Sequence, residues 1–213
     1  MHSLPSEFVH PQWNGLYLDS DHLGDIANMN MKTVEGWAVY LEFRTEGRGS
    51  SGSGFFLNMP GMQEHELILT SAQNLIDAKG NEVEDLGIFD LNQSKLEIVA
   101  QWYCPAYRRS RKPEYDYAAI KVKRTTAVTE GRGFGFTMCL GDKERLSGRV
   151  GVTGYHHRDS SYAREPTTSM GPVLTNFGKE KEFLEYGAAT DEGLTGSPVW
   201  IGYDGLPIAV AIQ

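Results

Sequence analysis

The sequence predicts an all-β protein made of two antiparallel β barrels with a cleft between them, and three observations carry that prediction. Short segments rich in Val, Ile, Tyr, Phe and Leu recur between turn residues over most of the chain. The connections are rich in glycine, and few runs show the spacing of an amphipathic helix. A polar stretch, VKRTTAVTEGRG at 122–133, separates the earlier segments from the later ones and reads as a link between two barrels. The length of 213 residues suits two small barrels that share an interface.

Residues 1–32 are polar, spotted with aromatics and without sustained period, which predicts an extended N-terminal lead-in packed on a domain. The first barrel is expected over 33–125, built from WAVYLEF, GSGFFLN, ELILT, KLEIVAQWY and YAAIKV, with TSAQNLID supplying one helical turn after its strand. YRRSRKPEY, which gathers Arg108, Arg109, Arg111 and Lys112, is expected as a solvated loop, with an acidic partner as the functional alternative. The aromatics of GIFDLN and WYCP are expected in the core. The second barrel is expected over 126–213, from GFGFTM, RVGVTGY, GPVLTNF, EFLEYGA, SPVWI and PIAVAIQ.

Composition narrows the function classes. A net charge of −8 and a pI near 5.3 argue against a chain that binds nucleic acid mainly by neutralising phosphate. Cys104 and Cys139 lie in no CxxC or Cys/His spacing, so neither metal site nor redox pair is expected; two free thiols are the commoner state, with one disulfide as the alternative. No cofactor is expected. The N-terminus has no signal-peptide pattern and no apolar run approaches membrane-spanning length, which leads to the expectation of an intracellular, cytoplasmic protein without a membrane partner.

Four stretches stand out in order along the chain: GSGFFLN followed by LILTSAQN, YDYAAIKV, GRVGVTGYHHRD and DEGLTGSPVW. Together they resemble the trypsin-like serine proteases, and within them the glutamyl endopeptidases, which carry GTGF with LTAAHN or LTAGHN, a D-L-A strand, V-x-G-Y-P and GNSGSPV at these places. The likeness covers about residues 33–213. It implies that Gln73, Asp116 and Thr195 occupy the places of the catalytic histidine, aspartate and serine, and that the N–H groups of Gly193 and Thr195 occupy those of the oxyanion hole. A single four-residue motif would be weak, and Gln73 alone would read as a surface amide; four motifs in order carry more.

The departures from the pattern decide the expected function. A glutamine cannot take a proton from the nucleophile near neutral pH, which leaves Asp116 no imidazole to orient. A threonine hydroxyl can act as nucleophile when a base is supplied, but its added methyl restricts χ1. Leu194 stands where the family has a small or polar residue. The expectation is therefore a pseudoprotease that binds a peptide or protein ligand in the cleft between the barrels and is not an enzyme. The alternative is a weak or atypical endopeptidase using Thr195, with His65, His156 or His157 as a replacement base. Gln213 falls where the glutamyl endopeptidases have a histidine that recognises a substrate carboxylate, so their acidic specificity is not expected to transfer. The strand PIAVAIQ is expected to leave an unpaired edge, for downstream sequence or a partner chain to fill.

Overall fold

The computed structural model describes residues 23–59, 61–124, 132–136, 148–156, 165–175 and 183–213. The described part of the lead-in is a two-residue strand β1 (Leu23–Gly24), one turn of 3-10 helix (Ile26–Asn28) and helix α1 (Met31–Glu35). Asp25 and Asn30 start the two turns by accepting the N–H groups of Ala27 and Thr33 on their side chains. This stretch is thus partly helical where an extended chain is expected, because side-chain caps satisfy the turn N–H groups that the sequence period does not reveal.

The first sheet contains β2 (Ala38–Thr45), β3 (Arg48–Leu57), β4 (His65–Thr70), β5 (Glu84–Phe89), β6 (Ile98–Tyr103) and β7 (Ala118–Lys123). Helix α2 (Pro105–Ser110) lies between β6 and β7. The strand order is β5-β2-β3-β4-β7-β6, all antiparallel. The chain entering β6 turns back to β5, with Leu96 N–H on Ile88 O at 2.8 Å, and this curls the sheet towards closure. Alternate residues point inward, so Val39, Leu41, Ile68, Ile88, Ile120 and Val122 form one dry core.

The second sheet contains β8 (Gly135–Phe136), β9 (Arg149–Gly154), β10 (Thr167–Thr175), β11 (Glu185–Tyr186), β12 (Pro198–Tyr203) and β13 (Leu206–Ile212), joined by β1 along β12. Its order is β11-β10-β9-β12-β13-β8, and Val150, Val152, Val199, Ile201 and Ile208 form its core. A third apolar cluster includes Phe55 and Leu57 of β3, Phe134, Trp200 of β12 and Ile26, and so joins the two sheets. Phe134 is its hub, meeting the rings of Trp37 and Phe55 edge-on at 5.4 and 5.6 Å. No helix among the described residues is long and apolar enough to cross a membrane.

Several expectations change here. β5 is not among the expected strands: its charged opening EDL hides a strand whose inward residue is Ile88. The basic run is not all loop, since Pro105 opens a helix that carries Arg108 and Arg109 in its last turn and ends on Arg111 in the left-handed region, φ +56°. Trp102, expected in the core, is 53% exposed on the outer face of edge strand β6. The last strand is not bare on its far side, because β8 pairs in parallel with Ile208 and Ala209. Cys104 is a buried free thiol, and Cys139 lies outside the described residues.

Candidate functional site

The pairing of β4 with β7 builds the first half of the site. Thr70 lies opposite Ala118, so the residues just after one and just before the other must meet. After Thr70 the chain makes a turn of 3-10 helix (Ala72–Asn74) capped by the Ser71 hydroxyl, which accepts Gln73 N–H at 3.3 Å. Before Ala118 a second such turn (Pro113–Tyr115) ends on Asp116. Asp116 Oδ1 accepts the same Gln73 N–H at 2.9 Å. Gln73 and Asp116 are therefore brought together, through the backbone of residue 73.

The second half is the turn that carries Thr195. Gly193 at φ +99° and Gly196 at φ +90° adopt backbone that residues with a Cβ rarely reach. A Cβ on Gly196 would lie 2.2 Å from Ser53 O, so this position also needs glycine for space. The turn is closed by Leu194 N–H on Asp191 O at 3.3 Å and Ser197 N–H on Leu194 O at 2.9 Å. The first sheet then grips it. Ser53 N–H and Asn74 Nδ2 both donate to Thr195 O, at 2.8 and 2.9 Å. Ser53 Oγ donates to Gly193 O at 2.8 Å and accepts Tyr155 N–H at 2.9 Å. Leu194 is buried, and a Cβ on Gly154 would lie 3.0 Å from its Cδ2, so this side chain fills the joint between the sheets. Among the described residues the N–H groups of Gly193 and Thr195 donate to no partner.

Asn74 is the residue that sequence reasoning missed. Its Nδ2 also reaches Thr70 Oγ1 at 2.9 Å, so one buried amide ties the turn beside Gln73 to the turn beside Thr195. The available signal was Gly52, where a Cβ would stand 2.4 Å from Asn74 Oδ1: glycine within a strand marks a close approach. Replacing Asn74 with leucine removes its bonds to the Thr195 carbonyl and to Thr70 Oγ1, while Ser53 N–H stays on that carbonyl, and should cost about 2–3 kcal/mol. A thermal melt should then fall by roughly 4–10 °C. An unchanged melting temperature would mean that the clamp contributes nothing.

Gln73 and Thr195 border one cavity of 660 Å³, together with Ser50, Asn74, Tyr107 and Arg111. His65, His156 and Gln213 do not border it. His65 opens β4 opposite Lys123, at the far end of that strand from Gln73. His156 Nδ1 is 2.6 Å from Asp191 Oδ2, and His157 lies outside the described residues. Gln213 is bound into the Thr195 turn from behind, accepting Gly196 N–H on its carbonyl at 2.8 Å and donating its own N–H to Ser197 O at 2.9 Å. Its side-chain oxygen accepts the Tyr186 hydroxyl, whose pKa burial pushes up to about 12. No group of three or more His, Cys, Asp or Glu suited to a metal ion occurs among the described residues.

Comparison with known proteins places this architecture. No family model and no curated protein matches the sequence. Among solved structures, the thermostable serine protease AL20 from an extremophilic microorganism superposes with a TM-score of 0.63 at 13% identity, over 83% of each chain. The protease Anisep from Arthrobacter nicotinovorans gives 0.59 at 16% identity, over 81% of each chain. A Glu endopeptidase gives 0.59 at 16% identity, over 78% of this chain and 74% of that one. At such identities the likeness speaks for the fold alone, and the chain has the trypsin-like serine protease fold, mostly β and built on two sheets.

Proposed function

We propose that this protein is a pseudoprotease whose cleft binds an extended peptide or a protein segment without hydrolysing it. The observation that carries the reading is the pair at the cavity: Gln73, with its N–H on Asp116 Oδ1 at 2.9 Å, and Thr195 border the same space. In the fold's peptidases that space holds a general base beside a serine. An amide at residue 73 cannot exchange a proton near neutral pH, and a β-branched hydroxyl at residue 195 has restricted χ1. The cavity and the grip on the Thr195 turn remain, so binding outlives chemistry.

A second reading, a weak endopeptidase with Thr195 as nucleophile, draws on one observation. His156 is paired with Asp191, and the Asp191 carbonyl accepts Leu194 N–H at the start of the Thr195 turn, so a histidine with an oriented ring is tied to the segment that carries Thr195. His156 does not border the cavity, which favours the binding reading. The two are separated by incubating the protein with a diverse peptide pool and identifying products by mass spectrometry. The expected outcome is no sequence-specific cleavage. Cleavage that disappears in both Thr195→Ala and His156→Ala would establish the second reading instead.

A further inference from the structure

The charges around the cavity are unevenly committed. Four charged residues border it: Glu46, Arg48, Asp77 and Arg111. Both carboxylates are already engaged by their own surroundings. Glu46 Oε1 lies 2.9 Å from Lys79 Nζ. Asp77 Oδ1 accepts the N–H groups of Lys79 and Asn81, each within 2.9 Å, and its Oδ2 accepts Asn81 Nδ2 at 3.2 Å. Those bonds, led by the Asn81 N–H, hold the Asp77 carboxyl below its ordinary range, so it stays a satisfied anion.

The two cations are differently placed. Among the described residues neither Arg48 nor Arg111 forms an ion pair. Arg111 is half-buried and its guanidinium is fixed in position. It donates through Nη2 to the Asp77 carbonyl and lies 5.1 Å from the centre of the Tyr107 ring. Guanidinium has five N–H donors in a rigid fork, and no more than two are engaged here, by the Asp77 carbonyl and the Tyr107 hydroxyl, so several are left for a ligand. The left-handed backbone of Arg111, φ +56°, ends α2 at this point and sends the side chain back along the 77–80 loop, where a Cβ on Gly80 would stand 3.5 Å from Nη2. On a chain of net charge −8, this wall of the cavity has an excess of uncommitted positive charge. Phe43 and Ile76 add apolar surface beside it.

Building on the peptide-binding reading above, we infer that the cavity selects an extended peptide with an acidic side chain, whose carboxylate is taken by the guanidinium of Arg111 while Arg48 raises its local concentration from the rim. The residue recognised lies on the side of Thr195 formed by the β2–β3 hairpin and the 77–80 loop, and Gln213 does not border that space. A fixed fork matches a carboxylate in geometry as well as in charge, and an amide of the same shape lacks both the charge and the second acceptor oxygen.

The test uses the 213-residue chain and a phage-displayed library of random dodecapeptides, with the selected sequences resynthesised and titrated by fluorescence polarisation. Enriched peptides should carry Asp or Glu at one fixed position, and its replacement by Asn or Gln should weaken binding to the wild type about tenfold, or roughly 1.4 kcal/mol. In Arg111→Met the acid and amide forms should bind alike. In the surface variant Arg48→Gln, the acid preference should persist while association slows and loses part of its salt dependence. Equal binding of the two forms to the wild type, or an acid preference that survives Arg111→Met in full, overturns the inference and leaves the peptide-binding reading standing. Failure of every peptide to bind defeats both.

Discussion

The double variant Gln73→His, Thr195→Ser is expected to cleave peptides measurably, whereas each single variant remains inert. The Asp116 carboxylate already lies 2.9 Å from the backbone nitrogen of residue 73, so a histidine on that Cα begins within reach of its orienting group. Histidine alone would face a hydroxyl whose rotamer is restricted by the threonine methyl. Serine alone would have nothing to take its proton. Members of a triad act as a unit, so the gain should be strongly non-additive, with kcat/KM for the double variant exceeding the product of the single effects by on the order of 10³.

The scaffold that the restored pair would need is largely present. Ser53 and Asn74 hold the Thr195 carbonyl from the first sheet, and Gly193 and Gly196 keep the positive φ angles of the turn. Activity is best read by mass spectrometry on a peptide pool, because no cleavage preference needs to be assumed. Full activity from Thr195→Ser alone would defeat this scheme, since it would require a base other than residue 73; His156, with its Asp191 partner, would be the first to test. An inert but folded double variant would place the remaining defect in the oxyanion donors or in substrate binding.

Arg132→Met should be the most destabilising single substitution away from the cleft. Glu66 lies on the inward face of β4 and its side chain is only 5% exposed, with Oε1 3.9 Å from Arg132 Nε. Arg132 in turn stacks over the Phe56 ring, its Cζ 3.6 Å from the centroid. Glu66 Oε2 and the Nε atoms of Arg124 and Arg132 are buried without a hydrogen-bond partner. Burial raises the Glu66 pKa, and Arg132 and then Arg124 pull it back down. Removing Arg132 leaves the carboxylate with the weaker compensation of Arg124 alone, and unfolding in urea should show a loss of about 3 kcal/mol.

The pH dependence has a definite sign. A carboxyl whose folded pKa is raised contributes stability that is fully present below its unfolded pKa and is lost as pH rises through the folded value. Without Arg132 the folded pKa rises further, so the deficit of Arg132→Met against wild type should be largest near pH 7 and should shrink towards about pH 4. The double replacement Glu66→Leu, Arg132→Met removes both charges and should recover most of the loss. An equal deficit at both pH values would mean that Arg132 acts by packing on Phe56 and not by charge.

Much of this protein is carried by local pattern. Alternation in ELILT and AAIKV determines two neighbouring strands, because inward Ile68, Ile120 and Val122 have no other way to leave water together. Glycines in GLTG determine a turn with positive φ, since no other residue reaches it without strain. The meeting of Gln73 and Asp116 is also legible, given only that the strand before the one and the strand after the other pair. What local pattern does not contain is anything that depends on two distant segments sharing one space. The charged opening of β5 conceals a strand that is held by pairing with β2, and the exposure of Trp102 follows from the edge position of β6. Asn74 reads as an ordinary polar residue until the Thr195 carbonyl of the other sheet arrives at its amide. Arg111 reads as one charge in a basic run until the turn ending α2 lays its guanidinium against the Asp77 carbonyl and turns it towards the cavity. Secondary structure and turn chemistry act over a few residues and are therefore written in the sequence, whereas burial, charge compensation and the shape of a cleft are properties of neighbours in space, which only the folded chain assigns.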